Sequence, residues 1–245
     1  MPALERVVRH GRSIIVYDAR SISQMSDALF EAATWTDAEA VPGYSGGRGT
    51  TLFVQHEGQE WVLRHYHRGG LMRHFVRDHF LRTGFARSRC YREWQLLAAM
   101  QRDGLPAPEP VAARCCLRGF TYTADLITRR IPEVEPLSVR LGRSALPASG
   151  WQAVGVCVGR FHAAGYDHAD LTAHNLQIAP SGDVYLLDFD RGRHRRPRRA
   201  WQRDNIDRLS RSFRKLVGEG SITFSAENWD ALLTGYASAS GWRPD

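Results

Sequence analysis

The sequence predicts an α+β chain in two lobes: a small lobe of strands carrying one main helix, then a lobe that is mostly helical. Three observations predict it. Strand-like alternation broken by glycine turns runs through the first half, up to about Thr128. One long helical pattern, Ala86 to Arg102, interrupts those strands. From Trp151 onward helical spacing dominates, apart from a short apolar hairpin between Leu176 and Leu187 that is bracketed by polar residues.

The elements follow in order. Residues 1–40 read as an N-terminal extension packed on the small lobe, with a strand from Ser13 to Tyr17 and a short helix around Gln24 to Thr34. The small lobe spans 41–131. It opens with the glycine-rich Gly43-Tyr44-Ser45-Gly46-Gly47-Arg48-Gly49, runs through Thr50 to Gln55, turns at Gly58 and alternates as a strand over Trp61 to Tyr66. Arg68-Gly69-Gly70 breaks that strand, and apolar Leu71, Met72, Phe75, Phe80 and Leu81 predict an amphipathic helix over 71–82. The 86–102 helix carries Cys90, Trp94, Leu97 and Met100 along one stripe, with Glu93 beside it. Asp103-Gly104 stops it, and Pro106, Pro108 and Pro110 stiffen the connection to strands at 111–116 and 121–128. Arg129-Arg130-Ile131-Pro132 reads as the hinge, and 132–245 as the second lobe, with helices at Trp151 to Ala164, Trp201 to Val217 and Ser225 to Tyr236.

The chemistry concentrates between His168 and Asp190. His168-Ala169-Asp170-Leu171-Thr172-Ala173-His174-Asn175 is followed by a short apolar strand, a Ser181-Gly182-Asp183 turn, a second strand and Asp188-Phe189-Asp190. This H-x-D-L-x-x-x-N plus D-F-x pair has the layout of a protein-kinase catalytic centre, so the two lobes are expected to be protein-kinase-like. Asp170 is the residue expected to orient an attacking hydroxyl and accept its proton. Asn175 and Asp188 offer the oxygen donors that Mg2+ prefers. Asp190 stands where protein kinases carry glycine, which marks a relative and not a standard member. His168 is expected to brace the loop.

The remaining parts of such a site are sought upstream. Gly46, Gly47 and Gly49 sit in a strand–turn–strand context where backbone N–H groups can approach the phosphates of ATP. The cation that normally stands on the next strand is lysine, yet the only lysine here is Lys215. Arg64 is the substitute, with Glu93 as its carboxylate partner, because a guanidinium can bridge phosphate and carboxylate oxygens.

Composition bounds the rest. With 43% hydrophobic and 10% aromatic residues the chain can build a core. It shows no run near the roughly 20 apolar residues of a membrane span. Glu5, Arg6 and Arg9 precede no long apolar run, so a signal peptide is not expected. Cys90, Cys115, Cys116 and Cys157 form no C-x-x-C pair, which argues for reduced thiols and against zinc. The net charge is +7. Eight arginines and four histidines lie between Arg64 and Arg92 against one acid, and seven arginines between Arg191 and Arg203 against none. Such clusters suit phosphate-bearing surfaces: anionic lipid, nucleic acid or a phosphorylated substrate.

Taken together, Gly46-Gly47-Arg48-Gly49-Thr50, Trp61 to Tyr66 with Arg68-Gly69-Gly70, Tyr91-Arg92-Glu93, the 168–175 loop and Asp188-Phe189-Asp190-Arg191-Gly192 resemble the 3-deoxy-D-manno-octulosonic acid (Kdo) kinase family of lipopolysaccharide kinases. Asn205 to Leu209 and Arg211 to Lys215 fit the same likeness, which covers roughly 40 to 240. The resemblance implies ATP- and Mg2+-dependent phosphorylation of the 4-hydroxyl of a Kdo sugar on a lipid A precursor, at the cytoplasmic face of the inner membrane of Gram-negative bacteria. The arginine clusters would hold that acceptor and an anionic membrane surface. The alternatives are a heptose, antibiotic or protein kinase, and a non-enzymatic kinase-like module for nucleic acid or anionic surfaces. Cationic antibiotics would need an acidic acceptor site, and mere binding requires no Asp170, Asn175 and Asp188 together, so nucleic acid is not the expected partner.

Overall fold

The first described residues form a hairpin, β1 (Glu5–His10) and β2 (Ser13–Asp18), in a computed structural model that describes residues 3–35, 39–40, 51–67, 78–82 and 84–244. Three further strands follow: β3 (Glu39–Ala40), β4 (Thr51–His56) and β5 (Gln59–His65). The β4–β5 turn places Glu57 at φ 47° and Gly58 at φ 74°, the pair of positive angles that lets a two-residue turn follow the twist of its strands. Next come β6 (Phe80–Leu81), α1 (Arg89–Arg102), β7 (Pro110–Arg118) and β8 (Thr121–Arg129). All pairings in this sheet are antiparallel, in the order β1-β2-β7-β8-β5-β4-β3, with β6 pairing β8 beyond the end of β5.

Alternation sorts this sheet into two faces. Trp61 and Leu63 join Ile15, Tyr17, Val111 and Ile127 in a core roofed by Ile22, Leu29 and Phe30. Arg64, the residue after Leu63, points the other way, toward α1, whose Cys90, Trp94, Leu97 and Met100 are buried. Residues 5–18 are thus strands of the sheet itself and not an added layer. The segment expected as a helix around 24–34 forms two 3-10 turns, Asp27–Phe30 and Ala32–Thr34, interrupted by an extended Glu31 at φ −96°, ψ 121°. Glu31 instead spends its carboxylate on Arg114, 2.6 Å away. In the segment expected as a helix over 71–82, Phe80–Leu81 is a strand and 71–77 lie outside the described residues.

The later elements are β9 (Glu135–Pro136), α2 (Leu137–Arg143), α3 (Ala148–Ala163), β10 (Tyr166–Asp167), β11 (Leu176–Ile178), β12 (Val184–Leu186), β13 (Arg193–His194), α4 (Arg199–Gly218) and α5 (Ala226–Ser240). Helices α3 and α5 pack closely. A side chain on Gly155 would run into the Leu232 carbonyl oxygen, and one on Gly235 into the Gln152 carbonyl oxygen. Ser225 starts α5 with a reciprocal cap to Asn228, and Gly241 at φ 76° ends it. Trp151 of α3 meets Phe213 of α4 edge-on at 5.4 Å, and Phe224 stacks on Phe213 at 4.7 Å. The chain divides into two compact units, Met1–Arg102 with Pro108–Arg130, and Asp103–Ala107 with Ile131–Asp245.

Candidate active site

In the second unit, Gly165 at φ 85° ends α3 so tightly that any side chain there would strike the Arg195 carbonyl oxygen. Strand β10 then delivers the chain to a loop built around His168, which is fully buried. The imidazole Nε2–H donates to the Leu187 carbonyl at 2.8 Å, so Nδ1 is left to accept the Asp170 backbone N–H at 3.2 Å. One neutral ring thereby ties the residue before Asp188 to the backbone of Asp170. Burial lowers the His168 pKa, which keeps that tautomer.

Asn175 completes the constellation. Its Nδ2 donates to the Asp170 carbonyl at 2.8 Å, and its own carbonyl accepts the Leu187 N–H at 2.9 Å. Asp170, exposed, and Asp188, half-buried, are therefore each one or two bonds from the same two braces. Asp188 adopts φ 64°, a left-handed angle costly for a non-glycine residue and typical of functional turns. Phe189, beside it, is buried against Phe161 at 5.4 Å and edge-on to His168 at 4.7 Å.

Helix α4 secures the loop from outside. Asn205 Oδ1 accepts the His168 backbone N–H at 3.0 Å while its Nδ2 donates to Asp167 at 3.0 Å. Ser212 Oγ accepts the Ala173 N–H at 3.1 Å. His174 is exposed and shares a 2.8 Å hydrogen bond with Ser138. Asn205 and Ser212 lie in segments that fit the family likeness, but their bonds to a loop more than thirty residues upstream could not be read from α4 alone.

In the first unit, Arg64 on β5 donates from Nη2 to Glu93 Oε2 on α1 at 2.5 Å. Glu93 is only 3% exposed. Tyr66, two residues on and just past the end of β5, completes this pair. Its hydroxyl donates to Glu93 Oε2 at 2.5 Å and accepts from Arg64 Nη2 at 3.1 Å, and the guanidinium lies 4.7 Å from its ring centroid. Burial, reinforced by the Glu93 carboxylate, raises the Tyr66 pKa well above 10 and keeps it a donor. Period-two spacing from Arg64 was the available signal for Tyr66. Gly46, Gly47 and Gly49 lie outside the described residues.

Residues 32–236 match the Lipopolysaccharide kinase (Kdo/WaaP) family. The chain belongs to that family. It is 38% identical over 226 residues to a 3-deoxy-D-manno-octulosonic acid kinase of Vibrio parahaemolyticus, covering 92% of this chain and 94% of that one. It is 38% identical over 236 residues to the protein of that name in Stenotrophomonas maltophilia, covering 94% and 93%. A solved structure titled "WaaP in complex with acyl carrier protein" superposes on 95% of this chain and 89% of its own, with a TM-score of 0.59 at 16% identity. Family and fold agree on a two-lobed, kinase-like α+β chain, and the family is one of kinases.

For a member of the lipopolysaccharide kinase family the donor set has the right chemistry for a hard divalent cation. Asn175 commits its nitrogen to Asp170, leaving the amide oxygen, and Asp188 supplies a carboxylate. The described residues contain no cluster of three or more His, Cys, Asp or Glu suited to a metal. A metal held by Asn175 and Asp188 would therefore take its other oxygens from phosphates and water, as Mg2+ does beside a nucleotide.

Proposed function

We propose that this kinase transfers the γ-phosphoryl group of ATP to the 4-hydroxyl of a Kdo sugar on a lipid A precursor. The observation that carries the reading is the double tie among Asp170, Asn175 and the residue before Asp188, within a chain whose relatives at 38% identity are named for that activity. Asp170, exposed at the head of the loop, orients the sugar hydroxyl. The sugar oxygen bonds to the γ-phosphorus as the bond to the leaving ADP oxygen breaks, and the hydroxyl proton passes to the Asp170 carboxylate. Asn175 and Asp188 would hold Mg2+, which would neutralise phosphate charge when bound. Arg64, fixed by Glu93 and Tyr66, binds nucleotide phosphate oxygens, and Gly46, Gly47 and Gly49 cover them. Catalysis then rests on positioning and charge neutralisation.

No described helix is long and apolar enough to cross a membrane. We assign the arginine-rich segments to an anionic membrane surface, where the lipid acceptor would reside at the cytoplasmic face of the inner membrane. In the 191–203 segment only part of the charge is committed internally: Arg195 pairs with Asp167 at 3.0 Å, while Arg191, Arg193, Arg196 and Arg198 are exposed.

The test is incubation with Mg-ATP and a Kdo-bearing lipid A precursor, with Asp170→Ala in parallel, followed by mass spectrometry of the lipid. The expected result is one added phosphate with the intact chain only. Transfer by Asp170→Ala at more than a few per cent of the intact rate would overturn the role given to Asp170. No transfer by either, with nucleotide still bound, would move the acceptor to heptose or protein.

A further inference from the structure

Apolar side chains stand out into solvent at one end of the first unit's sheet. Phe120, in the turn between β7 and β8, is 92% exposed, and Leu81 of β6 is 68% exposed. They are the most exposed large hydrophobic residues among those described. Both are held in fixed register. Leu81 pairs across from Thr121, and the Arg82 backbone N–H donates to the Phe120 carbonyl at 2.9 Å. The turn is closed by Thr121 Oγ1 donating to the Arg118 carbonyl at 2.9 Å, with Gly119 at φ 62°. Beneath it, Phe80 and Tyr122 are buried with ring centroids 5.5 Å apart. The tip is a rigid apolar projection on a packed base.

Its surroundings are cationic. The Leu117 N–H donates to the Arg12 carbonyl at 2.9 Å, which brings the β1–β2 turn to the same end. Arg12, Arg82 and Arg118 are all exposed, the segments 9–13, 79–82 and 117–121 contain no carboxylate, and Asp78, just before the second, faces His65 and His79. An aromatic and a leucine with arginines next to them in sequence and register match the boundary of an anionic bilayer, where apolar groups enter the acyl region and guanidinium groups stay with the phosphates. A second copy of the chain would bring the same arginines against one another.

We infer that the Phe120–Leu81 tip, with Arg12, Arg82 and Arg118, is a membrane-docking element that inserts into the headgroup boundary of anionic lipid. This rests on the reading that the chain works at an anionic membrane surface and names where it engages it.

The experiment is co-sedimentation of the full chain with vesicles of phosphatidylcholine, alone or mixed with phosphatidylglycerol. Phe120→Ser and Leu81→Ser are compared with Phe120→Leu and with Arg82→Gln combined with Arg118→Gln. The intact chain is expected on the mixed vesicles. Phe120→Ser should lower partitioning roughly tenfold, as expected for losing part of an aromatic burial, and Phe120→Leu should restore most of it. The arginine variant should lose binding to mixed vesicles only. Phosphorylation of detergent-dispersed acceptor should be unchanged in Phe120→Ser, Leu81→Ser and Phe120→Leu, which separates docking from damage to the fold. Phe120→Ser binding like the intact chain would overturn the tip while leaving the membrane reading to the other arginines. An intact chain that binds neither vesicle would overturn both. A dimer in sedimentation equilibrium that Phe120→Ser abolishes would assign the tip to self-association instead.

Discussion

Arg64 does not face α1 alone. A long arginine on a strand has several rotamers open to it, and fixing one of them costs entropy. Glu93 supplies charge, but Tyr66 supplies geometry: its hydroxyl touches both ions and its ring underlies the guanidinium. Tyr66→Phe keeps the ring and removes the bridge. It should raise the KM for Mg-ATP several-fold with a smaller change in kcat, and lower stability by about 1–3 kcal/mol, the range for a lost hydrogen bond to a buried charge. Steady-state kinetics and a urea melt check both, and an unchanged KM would mean that Glu93 alone positions Arg64. Arg64→Lys should not rescue Arg64→Ala, because an ammonium cannot span Glu93 and Tyr66 in one plane while also reaching phosphate. Nucleotide affinity equal to that of the intact chain in the lysine variant would refute that geometry.

At the scale of elements, α3 and α5 show how the second unit is held together, and why sequence reading missed it. Glycine within a helix costs about 1 kcal/mol against alanine, so Gly155 and Gly235 look like flaws when each helix is read by itself. Across the interface only a glycine at each of these positions lets the helices approach so closely. Gly155→Ala should therefore destabilise, since overpacking typically costs 1–3 kcal/mol and exceeds the roughly 1 kcal/mol gained in helix propensity. A thermal melt showing a gain would indicate that the helices can part without loss. Asn205 on α4 teaches the same lesson. Asp170, Asn175 and Asp188 could be proposed from the sequence because their motif is local, set within one loop and hairpin. Asn205 reaches His168 and Asp167 across more than thirty residues, and only the fold supplies that link. Strand β1 went unread because an edge strand with Glu5, Arg6 and Arg9 exposed lacks apolar alternation. The 24–34 segment was misread because Glu31 gives up helical angles to meet Arg114.

Across the molecule, histidines that are buried in one unit and half-buried in the other give the two units opposite responses to acid. In the second unit, Tyr236 OH donates to His162 Nδ1 at 2.9 Å and the ring's Nε2–H donates to Asn205 Oδ1 at 3.3 Å, which fixes a neutral tautomer. Burial pushes the His162 pKa down to about 4, and lowers that of His168 as well. Above the unfolded value of about 6.5 neither state of His162 carries the proton, so its full contribution is present. As pH falls from there toward 4 the unfolded chain binds a proton that the folded chain refuses, and stability drops by up to about 3 kcal/mol. In the first unit, the hydrogen bond from His65 Nδ1 to Asp125 at 2.6 Å, with Asp78 nearby, raises the His65 pKa. Its contribution is therefore present below 6.5 and lost as pH rises through the folded value. Asp18 is also in that unit; burial opposes its charge, but Arg20 holds its pKa below 3.8, so it weakens only in stronger acid. Between pH 7 and 5 the second unit should soften while the first does not. Hydrogen exchange, corrected for intrinsic rates, should show amides of α3 and α5 losing protection over that interval while those of β7 and β8 keep theirs. His162→Gln should be less stable at pH 7 but should flatten the dependence in α3 and α5. Equal loss in both units, or a slope unchanged in His162→Gln, would show that the acid response lies with other groups.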